Sequence, residues 1–78
     1  MTKYEMVKRV ERVEITYRRG LRIAEGQKSK VYRVRTNRFP SGSQYELLVW
    51  SKELGKCIWV RADDVMILSM SINPIHTV

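Results

Sequence analysis

Residues 44–70 read QYELLVWSKELGKCIWVRADDVMILSM, and the fold is decided by how this stretch is read. Gln44–Trp50 is rich in β-favouring residues, with apolar side chains on both parities, as in a central strand covered on both faces. Lys52–Lys56 is polar and contains Gly55, which places a hairpin loop there. Cys57–Arg61 is the returning strand of the hairpin. Ala62-Asp63-Asp64 makes a short turn, and Val65–Met70 is a last strand, broken off by Asn73-Pro74.

Upstream, Lys30–Thr36 reads as one strand, with Tyr32 and Val34 facing one way and Arg33 and Arg35 the other. Asn37–Ser43, with Pro40 and Gly42, reads as a turn-rich loop. Leu21–Ala24 is expected as a short strand between the Arg19-Gly20 turn and a polar loop at residues 25–29. The N-terminal residues support two readings. Thr2 and Glu5 fit a capping box, and Tyr4, Val7, Val10, Val13 and Tyr17 recur at helical spacing. Against a helix, Val13–Tyr17 alternates strictly and three of its five residues are β-branched. A strand from about Val10 to Tyr17 is favoured, and residues 1–9 form an arm of undecided structure. Residues 73–78 are expected as a flexible tail. The fold class is all-β, with a short N-terminal helix as the open alternative. Five or six short strands in so short a chain fit a small barrel, because closure removes sheet edges.

Trp50, the hairpin at Gly55 and the run Ile58-Trp59-Val60-Arg61-Ala62-Asp63-Asp64-Val65 resemble the closing section of SH3-like barrels. In those domains a hairpin strand leads through a one-turn 3₁₀ segment into the last strand. The resemblance spans residues 44–68 and is shared by bacterial SH3 and KOW-type domains. It implies an SH3-like barrel, and a role in binding RNA, DNA or peptides.

Seventy-eight residues make one domain with one core. The single cysteine, Cys57, excludes an internal disulfide and suits a reducing compartment. The first residues contain no apolar signal segment, and Val65–Met70 is far too short to cross a bilayer. A small cytoplasmic domain is therefore expected.

Chemistry-bearing residues are sparse. His76, the only histidine, falls in the expected tail, and Cys57 has no histidine near it in sequence to activate it. Asp63 and Asp64 are adjacent, which suits turn or capping bonds better than a metal site. The four glycines lack phosphate-cradling spacing. The expectation is no enzyme, no cofactor and no metal.

The charge is where the sequence speaks. The chain carries a formal net charge of +7, and residues 8–38 alone hold eleven Lys/Arg against three acids. Residues 39–78 are slightly acidic, with three Lys/Arg against four acids. Such asymmetry favours a polyanionic partner. Arg33, Arg35 and Arg38 are expected to pair with phosphates, with Lys28, Lys30, Arg18, Arg19 and Arg22 extending the track. Tyr32 or Phe39 would stack on a base. Nucleic acid, RNA or DNA, is thus the expected partner, bound with weak sequence selectivity because no recognition helix is present. The alternative is a protein-interaction module of the phage- or plasmid-type effector kind, docking its basic face on an acidic protein surface. Its mark would be an exposed apolar patch of Trp50, Phe39 or Val65–Met70 beside the basic face. Either a monomer or a homodimer is compatible with the sequence. At least one of Trp50 and Trp59 is expected in the core.

Overall fold

Each N-terminal reading holds over part of its span: the helix is confined to residues 3–7, and the strand that follows ends at Ile15, short of Tyr17. Thr2 caps a short helix, α1 (Lys3–Val7), its Oγ1 accepting from the Glu5 amide at 3.1 Å. The chain leaves the helix at Lys8 and enters strand β1 (Val10–Ile15). The computed structural model of the protein describes residues 2–17, 20, 22–40 and 42–76. Val10 and Val13 are both buried, although a regular strand would turn them to opposite faces. The register shift between Val10 and Arg12, where two steps on this strand oppose one on its partner, supplies the extra residue that brings them to one side, as β-bulges do. The spacing that resembles a helix is thus a bulge signature.

The described residues form six strands in two three-stranded antiparallel sheets. In the first, β1 is central, flanked by β2 (Lys28–Lys30) and β6 (Val65–Met70). In the second, β4 (Gly42–Ser51) is central, flanked by β3 (Arg33–Phe39) and β5 (Lys56–Arg61). A 3₁₀ turn at Ala62–Asp64 joins β5 to β6. The four-residue β4–β5 loop closes with the Gly55 amide donating to the Ser51 carbonyl at 2.9 Å. Gly55 there has φ +64°, a conformation that side-chain-bearing residues disfavour.

Four sequence expectations change. The segment 30–36 is not one strand: Val31 and Tyr32 separate β2 from β3. The Val31 amide bonds Glu11 O on β1 at 2.9 Å, and the Tyr32 amide bonds Leu48 O on β4 at 2.8 Å. One residue thus serves each sheet, and the chain crosses between them. The expected loop at 37–43 is mostly strand, since β3 runs to Phe39 and pairs it with Gly42 at the start of β4. Leu21–Ala24 is not a strand in its described part. Arg22 and Ile23 form a bend, and the Arg22 carbonyl accepts from the Ser51 hydroxyl instead of from a neighbouring strand.

The fourth change concerns tryptophan. The core consists of Val7, Val10, Val13, Ile15, Ile23, Val31, Val34, Leu47, Val49 and Ile58, and neither tryptophan belongs to it. The pairings Leu47↔Val60 and Val49↔Ile58 fill the inner face with aliphatics of moderate size. Trp50 and Trp59, paired with Cys57 and Leu48, stand on the opposite face. Trp50 is 42% exposed.

After β6 the chain returns to its beginning. Ser71 N donates to Arg9 O at 2.8 Å, and Arg9 Nε returns a bond to Ser71 O at 2.8 Å. The amides of Ile75 and His76 both donate to Lys8 O, at 3.0 and 3.1 Å. No helix among the described residues is long and apolar enough to cross a membrane.

Candidate functional site

Strand β3 pairs with β4 on one side only. Among the described residues its other edge has no strand partner, so alternate backbone N–H and C=O groups face outward there. A groove of about 800 Å³ runs along β3, lined by Arg33, Val34, Arg35, Thr36 and Arg38. Its other walls are Tyr4 from α1, Tyr45 from β4, Trp59 from β5, and Ile75 and His76 from the returning C-terminal segment. A second hollow of about 450 Å³ shares Tyr32, Ile75 and His76 with it, and adds Glu11, Arg12, Lys30, Val31 and Ser69. The two together make one surface crossing both sheets at the Val31–Tyr32 switch.

Five cations line this surface: Arg12, Lys30, Arg33, Arg35 and Arg38. Glu11 is the only acid among the described lining residues. Arg12 and Lys30 are cross-strand partners, so two positive charges are held side by side. Aromatic rings interleave with the cations. Tyr4 stacks on Tyr45, with centroids 5.5 Å apart and planes at 23°. Lys8 Nζ lies 4.5 Å from the Tyr4 ring centre, and Lys30 Nζ lies 5.5 Å from that of Tyr32.

Arg35 is held differently from its neighbours. Its guanidinium carbon sits 4.1 Å from the centre of the Trp59 ring, a cation–π distance. Its Nε donates to Glu46 Oε1 at 2.8 Å, and Asn37 Nδ2 donates to the same oxygen. Arg35 and Glu46 are directly opposite in the β3–β4 register, so the pairing follows from strand alignment.

The structure therefore gathers Lys30, Arg33, Arg35, Arg38 and Tyr32 at one surface. It leaves Arg22 elsewhere, in a smaller hollow beside Tyr17 and Asp64. Lys28 lies opposite Glu14 on β1, outside the groove lining. Arg18, Arg19 and the Phe39 side chain lie outside the described residues. Sequence reasoning missed Arg12, Tyr4, Tyr45, Trp59 and His76 as groove residues. Arg12 was visible as a cation, but its partnership with Lys30 depends on the β1–β2 register. His76, expected in an exposed tail, is partly buried, and its Nε2 lies 2.8 Å from Val10 O, the ring N–H donating.

Other reactive groups are dispersed. Cys57 is partly buried, and Asp64 is buried with its carbonyl accepting from Thr16 N and Tyr17 N. Among the described residues no three His, Cys, Asp or Glu side chains come together as a metal-ligand set. In comparisons with protein-family models, curated proteins and solved structures, the chain matches none.

Proposed function

We propose that the protein is a small, non-catalytic, cytoplasmic nucleic-acid-binding domain that holds the phosphate backbone along β3 and the β1–β2 ladder. The observation that carries this reading is the groove lining, five cations interleaved with aromatic rings and a single acid. Phosphates pair with such cations, and unpaired bases stack on such rings. Arg33, Arg38, Lys30 and Arg12 are the phosphate ligands, and Tyr32 is a stacking surface. Selectivity for sequence is weak, since no helix among the described residues is long enough to enter a major groove.

The fold proposed for it is an SH3-like barrel. In support, β2 and β3 follow each other with a two-residue switch between sheets, and a 3₁₀ turn links β5 to β6. The chain order within the sheets, β2-β1-β6 and β3-β4-β5, is compatible with one strip of strands curling round a common core.

Fluorescence anisotropy of labelled single-stranded RNA, single-stranded DNA and duplex DNA at 50 and 200 mM salt tests the function. Four phosphate contacts correspond to a loss of roughly 50- to 150-fold in affinity across that range. The variant R33A/R35A/R38A is expected to bind far more weakly while remaining folded. No binding of any oligonucleotide at 50 mM would overturn the reading.

A second reading, a module docking on an acidic protein, has one observation in its favour. Met66, Ile67 and Leu68 on β6 are 49%, 39% and 39% exposed, an uncharged strip at a sheet edge of the kind that binding partners cover. Co-elution with an acidic protein partner, together with absence of oligonucleotide binding, would favour this reading.

A further inference from the structure

Resting on the nucleic-acid reading, we infer that the ligand is single-stranded, and that Arg35 is the platform on which one of its unpaired bases stacks, not a phosphate ligand. The inference starts from how the side chain is held. The guanidinium carbon lies over the Trp59 ring, 4.1 Å from its centre. Glu46, itself only 16% exposed, fixes Nε at 2.8 Å and offsets the positive charge. Asn37 binds the same carboxylate oxygen, which holds that oxygen in place. A guanidinium so clamped is poorly placed to follow a phosphate, but its plane is set.

The side chain nevertheless remains 44% exposed and lines the groove beside Trp59. The exposed guanidinium is planar and polarisable, and Arg33 stands two residues away on the same face of β3. Nucleobases stack on arginine planes as they do on aromatic rings. A base laid on Arg35 would rest on a cation already held by Trp59, with its backbone within reach of Arg33. Bases inside a duplex are already stacked on both faces and cannot enter such an arrangement without being flipped out. The chemistry thus selects an unpaired strand, of RNA or of DNA.

The test compares three labelled ligands of equal length by anisotropy: oligothymidylate, the same phosphodiester chain with abasic residues throughout, and a duplex. The wild-type protein is expected to bind oligothymidylate at least roughly fivefold more tightly than the abasic chain, the scale of one stacked base, and more tightly than the duplex. R35K keeps the charge but not the plane, so this preference should collapse while the salt slope stays unchanged. R33K should retain it. E46Q tests the clamp from the other side: an Arg35 no longer paired becomes free to meet a phosphate. The salt slope should then steepen by about 0.7–0.9 as the preference for bases falls. Equal binding of oligothymidylate and abasic chain by the wild type, tighter binding of the duplex, or an unchanged preference in folded R35K and E46Q would overturn the inference. Failure of all three ligands to bind at 50 mM would overturn the nucleic-acid reading itself, a separate and recognisable outcome.

Discussion

Tyr4 and Tyr45 stack with ring centres 5.5 Å apart, joining a five-residue helix to the central strand of a sheet that makes no backbone pairing with it. So short a helix has little stability of its own. Its Thr2 cap, the buried Val7 and this ring pair together keep it in place, and with it one wall of the groove. Tyr4→Ala is expected to lower stability by about 0.5–1.5 kcal/mol beyond the loss of buried area, read as a fall in the urea midpoint. Tyr4→Phe preserves the stack and should leave the midpoint nearly unchanged. A Tyr4→Ala protein as stable as the wild type would show that α1 is held by Val7 alone.

Arg12 and Arg22 belong to the same basic stretch of sequence but to different surfaces. Arg12 is paired with Lys30 at the second hollow, whereas Arg22 lines another one with Tyr17 and Asp64. Arg12→Ala should reduce the slope of log affinity against log salt by about 0.7–0.9, one phosphate contact. Arg22→Ala should leave the slope within error. Equal slopes for both variants would mean that the phosphates follow net charge and not the groove.

Ser51 is fully buried and serves two segments at once. Its hydroxyl donates to the Arg22 carbonyl and accepts from the Leu54 amide at 3.2 Å. Ser51→Ala leaves both groups without this partner, at a cost of about 1–3 kcal/mol. The denaturant midpoint should fall with no change in m-value. A shift below about 0.5 kcal/mol would show that water replaces the hydroxyl.

Strands β5 and β6 and the turn between them are legible in the sequence, because short apolar runs bounded by a Gly-containing loop and an Asp-Asp turn are local signals. What was not legible depends on partners distant in the chain. Lys30-Val31-Tyr32-Arg33 contains no Gly or Pro, and its alternation runs through the break. The strand divides only because Val31 finds Glu11 and Tyr32 finds Leu48. The same holds for the tryptophans. β4 is apolar on both parities, so the sequence does not say which of Leu47/Val49 and Leu48/Trp50 faces inward. Leu47 and Val49 do so, and Trp59, one strand over, is covered by Arg35 in place of the core. In the site, Arg33 and Arg35 were legible from their alternation, and Arg38 only as a cation of the expected loop. Arg12, Tyr4, Trp59 and His76 were not, because each reaches the groove through a pairing or a chain reversal that no local pattern encodes.

The return of the C-terminal segment onto Lys8–Val10 has a kinetic consequence. His76, which lines the groove, and Val10, whose carbonyl accepts from its ring, are 66 residues apart in sequence. Joining them requires nearly the whole chain to close on itself, and such long-range closures place small β proteins in the millisecond-to-second range of folding times. The β3–β4–β5 meander is local and can form early. The wall made by Ile75 and His76 follows only once β1 and β6 have met. The groove is therefore completed at the end of folding, so a chain that has not closed its two ends carries the charge of that surface without its shape.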